Sequence, residues 1–343
     1  MNADRETMKE HKKLHAFSKR SLLRIPLLPL LGPVAYALSP GIKECVKQYP
    51  EAAGTVEFTL SRLARTVVRH PIKVIPLLST ITDWVTHYFG AQREQKNSRQ
   101  FLIYTTLDDT IPFRPEWDTL YTYMISQIGY LTEEVLQQCS TKEVKEVGRM
   151  FTHLTKISAE VFNTLPTRMV RLRNHDRISL RAVQAIDDPL NCCPSLHIAY
   201  SVLIDNLMGN VLDTKSSNPQ LWRDVRIAST GMFDSVLYTK QHALVCVATG
   251  ILAAEIAYKH FHPRRPFNDF ADLFGQMSGE VPYKEVKRLY RDVQKHYSRT
   301  RHLPTAIKAL FDQEEYPLVS ASQAENEYVR LLSKETVQHM RKT

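Results

Sequence analysis

Disulfide chemistry is the first thing this sequence has little of. Its 343 residues hold five cysteines, Cys45, Cys139, Cys192, Cys193 and Cys246. The count is odd, no C-x-x-C pair occurs and no Cys/His ladder has zinc-finger spacing, so neither a disulfide framework nor a structural zinc is expected. Reduced thiols in a cytoplasmic or cytosol-facing setting are the default that remains. Clean hydrophobic runs are also missing. Mean hydropathy is −0.30, whereas several spans of about 20 apolar residues would push it well above zero. The uncharged stretch Ile25 to Ile42 contains Pro26, Pro29, Pro33 and Pro40, and each proline removes a helix hydrogen bond and clashes with the preceding turn. An extended buried or surface-lying segment is the favoured reading there; a membrane anchor, or a cleaved signal ending at Ala35-x-Ala37, are the alternatives. Hairpin dipeptides, strand-type alternation, internal repeats and nucleic-acid-binding signatures are absent as well, which leaves little room for sheet and excludes nucleic acid as a partner.

What is present is an ordinary globular composition, 43% hydrophobic and 24% charged, with 45 Lys+Arg against 36 Asp+Glu and a net charge of +9. Such a balance suits anionic partners: a phosphorylated small molecule, a lipid phosphate or an anionic membrane surface. Four stretches follow along the chain. Residues 1–24 are basic and loosely ordered, 25–100 form a helical extension interrupted at Pro71 and Pro76, 101–275 hold the main helices, and 276–343 carry basic helices. Leu60, Leu63, Val67 and Val68 have helical spacing, and the polar run Gln92 to Gln100 reads as a linker. Ser140-Thr-Lys-Glu143 is a capping box, followed along one face by Val144, Val147, Phe151, Leu154, Ile157 and Val161, with Pro166 as the stop. A second helix is expected from Pro194 to about Leu212 and a third from Arg226 to Lys259. Tyr283 to His302 should pack Val286, Leu289, Tyr290, Val293 and Tyr297 inward beneath a basic face. The fold class is all-α, a helical bundle.

Three clusters carry chemistry. Arg168, Arg171 and Arg173 form a cationic patch after a helix end. Asp188-Pro-Leu-Asn191-Cys-Cys-Pro194-Ser195-Leu-His197 sets a serine and a histidine at a helix start, where unpaired N–H groups and the dipole favour an anion. Asp234-Ser-Val-Leu-Tyr-Thr-Lys240-Gln-His242 leads into an apolar helix that contains Cys246. Each alone has an innocent explanation in capping or packing. Together they supply two imidazoles and several cations, which phosphoryl transfer needs as nucleophile, leaving-group acid and charge stabiliser.

In order and spacing these clusters resemble the three signature motifs of the type 2 phosphatidic acid phosphatase and vanadium haloperoxidase superfamily, over roughly residues 108–258. Pro194-Ser-Leu-His197, Thr239-Lys-Gln-His242 and the upstream Asp109-Thr-Ile-Pro-Phe-Arg-Pro115-Glu-Trp117 with Tyr121 and Tyr123 are similar to its inositol phosphorylceramide synthase-like branch. The resemblance implies that core fold and a metal-independent phosphatase or phosphotransferase acting on an amphipathic substrate such as an isoprenoid diphosphate or lipid phosphate. It implies no cofactor beyond Mg²⁺ arriving with a diphosphate. His242 would be the nucleophile that forms a phosphohistidine and His197 the leaving-group acid, while Arg171, Ser195, Arg168 and Lys240 would hold phosphoryl oxygens. Leu172 and Val236 depart from the usual spelling, and Cys246 stands where the family has the aspartate that orients its nucleophilic histidine. Three outcomes are open: Asp188 or Asp234 supplies the missing orienter; the site ionises a diphosphate, as a terpene cyclase does, or merely binds it; or a thiol, Cys246 or Cys193, is the nucleophile. For each cysteine the plain alternative is a small buried hydrophobe.

Overall fold

The capping box at Ser140 and the proline at position 71 explain where two long helices begin. In a computed structural model of the chain, residues 66–172, 175–212, 219–268, 279–333 and 336 are described. By its contacts the chain divides into Met1–Leu60 and Ser61–Thr343, and all described residues belong to the second unit. The basic N-terminus, the stretch Ile25 to Ile42, Leu60, Leu63 and Arg173 lie outside them.

Helix α1 (Pro71–Gln95) takes Pro71 in its first turn, where the missing N–H has no partner to lose. It runs straight through Pro76, so the expected interruption does not occur. The carbonyl that Pro76 leaves free belongs to Ile72, which is 72% exposed and therefore open to water. Strand β1 (Arg99–Leu102) follows, so Gln92 to Gln100 is the end of a helix and the start of a strand rather than a linker. After it come the short α2 (Thr106–Asp109), a single 3₁₀ turn at Pro115–Trp117, α3 (Asp118–Thr122) and α4 (Met124–Gln138). Helix α5 (Thr141–Thr164) has the expected reciprocal cap, Ser140 accepting from Glu143 N and Glu143 answering. It buries Val144, Val147, Leu154 and Val161, largely against α1 and against α9, described below.

Strand β2 (Thr167–Arg168) lies parallel to β1, and β3 (Leu318–Ser320) lies antiparallel on its other side. This three-stranded patch is the sheet seen among the described residues. The all-α class therefore stands. Helix α6 (Ile178–Ile186) precedes the first functional turn, and α7 (Leu196–Leu207), extended by one π turn over Met208–Leu212, follows it. Pro194 is not the first helical residue as expected; Ser195 is the cap of α7, its hydroxyl accepting from Ile198 N at 3.3 Å, and the helix begins at Leu196.

The third expected helix is two helices, α8 (Pro219–Tyr238) and α9 (Leu244–Phe261). Lys240 at φ 53° breaks the run, because a left-handed residue cannot continue a right-handed helix. The break lets residues 239–243 turn and present His242 beside α7. Residues Leu244 to Ala254 of α9 are all buried, each large aliphatic contributing roughly 2 kcal/mol by leaving water, while Glu255, Ile256, Lys259 and His260 leave one face open nearer its end. Among the described residues α9 is the one helix long and apolar enough to cross a membrane by length and composition, and most of it is buried inside the protein.

Two contacts fasten α7 to α9. Ser195 N donates to Cys246 O at 3.1 Å. At Gly250 the backbones approach so closely that an added Cβ would stand 2.8 Å from Ser195 O. Helix α10 (Tyr283–Thr300) packs Val286, Leu289, Tyr290 and Val293 inward as expected, against α9 and α11 (Leu303–Gln313). Helix α12 (Ala324–Leu331) closes the described chain beside β1.

Candidate active site

His197 comes from the first turn of α7 and His242 from the turn entering α9, and the two fastenings just described bring them together. Their ring centroids are 5.6 Å apart. His242 is 8% exposed, and its Nδ1 lies 3.0 Å from Cys192 O. A carbonyl only accepts, so Nδ1 carries the proton and Nε2 keeps its lone pair. That Nε2 has no hydrogen bond among the described residues. His242 sits well below its usual pKa through burial, with His197 next in effect; it is a neutral imidazole at pH 7. Burial likewise pushes His197 down to about 4. The His197 ring lies on Tyr121 at 4.1 Å and 26°, so a residue of the upstream element helps set its plane.

Among the described residues Arg171 is the cation beside this pair. Its side chain is 6% exposed, and its charge is felt by both histidines. Nη2 donates to Asp187 Oδ2, Asp187 O and Asp188 O, each at 3.2 Å. Nε and Nη1 are buried without any partner. Leaving two guanidinium donors unpaired inside a protein is costly, at about 1–3 kcal/mol for each group, so they mark a place where an acceptor belongs. Asn191 repeats the pattern: its φ is 56°, and both ends of its buried amide lack partners. It directly precedes the residue whose carbonyl holds His242.

Other expected site residues are placed elsewhere. Lys240 turns away from the histidines. It is 3% exposed and donates to Asp108 O at 2.6 Å and to Ile111 O, with Tyr104 beside it at 5.4 Å; burial lowers its pKa to about 8. It is a structural pin, not a phosphate ligand. The Arg168 guanidinium donates to Gln100 Oε1 at 3.2 Å across the small sheet. The Ser195 hydroxyl is engaged in capping α7.

None of the expected orienters reaches His242. Asp188 faces Lys96 at 3.7 Å and is half exposed. Asp234 accepts from the Tyr283 hydroxyl and is raised by burial. Cys246 Sγ takes the Ala243 N–H at 3.4 Å. The orienting position belongs to the Cys192 carbonyl. Of the two thiols weighed as nucleophile, Cys246 is disfavoured because burial pushes it well up, the reverse of activation, as it does the neighbouring Cys192, to about 12. Cys193 Sγ rests 3.0 Å from Thr249 Oγ1, and all three are small buried side chains.

Sequence reasoning missed three groups. Asp187, which also accepts from Tyr88 and Gln92 at 2.6 Å, was overshadowed by its neighbour Asp188. Thr167 takes the Cys192 and Cys193 amides on its hydroxyl at 3.0 and 3.3 Å and so shapes the loop. Asp108 accepts from Leu244 N at 2.7 Å, filling the amino-terminal end of α9 that would otherwise attract an anion. Among the described residues no group of three or more His, Cys, Asp or Glu is placed to hold a metal ion. No family model, curated protein or solved structure matches the chain.

Proposed function

We propose that the protein cleaves or transfers a phosphate ester by way of a phosphohistidine, on an amphipathic substrate such as an isoprenoid or lipid phosphate. The observation that carries this reading is the fixed tautomer of His242: Nδ1–H on the Cys192 carbonyl, Nε2 free, beside a second imidazole and an arginine with two unpaired donors. A backbone carbonyl does the orienting that a carboxylate does in the superfamily the motifs resemble. It sets the tautomer without stabilising an imidazolium as strongly.

In the proposed reaction, substrate phosphoryl oxygens accept from Nε and Nη1 of Arg171, with the Asn191 amide as a further donor. The His242 Nε2 lone pair forms the N–P bond as the ester P–O bond breaks, and His197, protonated, gives its proton to the departing alkoxide. Water then attacks the phosphohistidine, returning a proton to His197 and freeing Nε2 with inorganic phosphate as product. Because His197 is protonated only near pH 4 in the resting site, kcat/KM should rise as the pH falls through 6 and 5. A phosphate dianion bound between the rings would favour protonation of His197.

Lys240 faces the other way, so among the described residues the histidine pair has one guanidinium beside it, that of Arg171, rather than two cations. That favours a single phosphoryl group over a diphosphate, and the diphosphate-ionising alternative gains less from this geometry. Incubation with a lipid phosphate and with farnesyl diphosphate tests the reading. Orthophosphate released by the wild type and lost in His242→Ala is the expected result. Pyrophosphate with a cyclised hydrocarbon would replace this reading with the ionising one, and binding without turnover would reduce the site to a phosphate-binding pocket.

A further inference from the structure

We infer that the groove between α9 and α10 is a second anion site, one that takes a phosphorylated ligand with an apolar body. Its volume is about 680 Å³, within the range of small-molecule sites. Leu252 and Ile256 give it an apolar wall, and Lys259, Arg291, Lys295 and Arg301 stand around it. The acidic residue in its lining, Glu255, accepts from Tyr290 Oη at 2.9 Å and Gln294 Nε2 at 3.1 Å and pairs with none of these cations. Lys259 gives one hydrogen bond to Arg265 O. Arg291, Lys295 and Arg301 form no ion pair among the described residues.

Other charges on the same helix are treated differently. Arg288 is held by Glu285, Asp292 and Glu314 at 2.6–2.9 Å, so α10 neutralises one cation three times over and leaves those at the groove with no carboxylate. Arg301 also stands at φ 53°, a helix-ending position that glycine fills at no steric cost. Three uncompensated cations around an apolar wall match a phosphate group joined to a hydrocarbon or other apolar body. The groove is separate from the histidine pair: Leu252, its nearest lining residue on α9, lies about 12 Å along the helix from Leu244, at 1.5 Å per residue. This inference goes beyond the proposed reaction and does not depend on it.

Calorimetric titration of the full chain with inorganic pyrophosphate and with a soluble short-chain phosphatidic acid tests the site. Co-sedimentation with phosphatidylcholine vesicles, with and without phosphatidic acid, separates a free ligand from a membrane lipid. The double reversal Arg291→Glu/Lys295→Glu should weaken binding about tenfold or more, equivalent to 1.4 kcal/mol. Lys142→Glu/Lys284→Glu, which changes net charge equally at exposed positions away from the groove, should leave it within about twofold. Saturable binding in either arm that the groove reversal abolishes supports the site and names the source. Equal weakening by the control pair, binding that the groove reversal leaves intact, or no saturable binding at all overturns it.

Discussion

Arg171 and Arg288 show how differently two regions of one molecule use the same side chain. Arg288 lies on the surface of α10, 41% exposed, with three carboxylates around it. Arg171 lies inside, 6% exposed, with Asp187 as its carboxylate partner and two donors idle. At the surface, water and salt screen each pair, so redundancy adds little to stability. In the interior every missing acceptor has a cost, so an arrangement that leaves donors empty points to a ligand rather than to stability.

The largest effect that would sharpen this contrast comes from Asp187→Ala. Removing the one carboxylate beside a buried guanidinium should cost about 3–5 kcal/mol in urea unfolding, and a loss below about 1 kcal/mol would break the comparison. Next comes the pH dependence of the histidine pocket. Between pH 6.5 and about 4 the unfolded chain binds a proton that native His197 refuses, so the wild type should lose stability on acidification through that window. The part due to His197 is about 3 kcal/mol at 1.36 kcal/mol per pH unit. Asp205, raised by burial to about 6, works in the opposite sense, since its native form keeps a proton that the unfolded chain has released. The difference between wild type and His197→Gln isolates the histidine; parallel curves for the two proteins across pH 4–7 would refute the assignment.

A smaller effect is expected where α9 meets the start of α7. Gly250→Ala puts a methyl group 2.8 Å from the Ser195 carbonyl, so one helix must shift, at a cost of about 1–3 kcal/mol. The seam carries both histidines, so the same variant should lower phosphate release by more than its stability loss explains. Smallest of all, Arg288→Ala should cost about 1 kcal/mol or less in thermal unfolding. A loss as large as that of Asp187→Ala would erase the distinction between surface and interior.

Local signals in the sequence carried the class and several boundaries. The cap at Ser140 and the apolar stripe of α10 are short-range patterns, legible because the helix itself imposes the period. The split between α8 and α9 was not legible: Lys240 is an unremarkable residue type for a left-handed turn, and tertiary hydrogen bonds to Asp108 and Ile111 hold it there. Pro76 misled in the other direction, since an exposed helix can lose one hydrogen bond to water and continue. In the candidate site the types and order of His197, His242 and Arg171 could be read. Their partners could not: the carbonyl of Cys192 has no side-chain signature, and the choice of Asp187 over Asp188 depends on which carboxylate the loop turns inward.

The most direct test is a search for the covalent intermediate. The protein is mixed with a lipid phosphate or p-nitrophenyl phosphate at mildly acidic pH, quenched in alkali to preserve a phosphoramidate bond, digested, and mapped by mass spectrometry. A phosphate on His242, formed in the wild type and absent from His242→Ala, is the predicted result. Turnover without a mark on His242, a phosphate carried by another residue, or a wild type that neither turns over nor becomes phosphorylated would contradict the account.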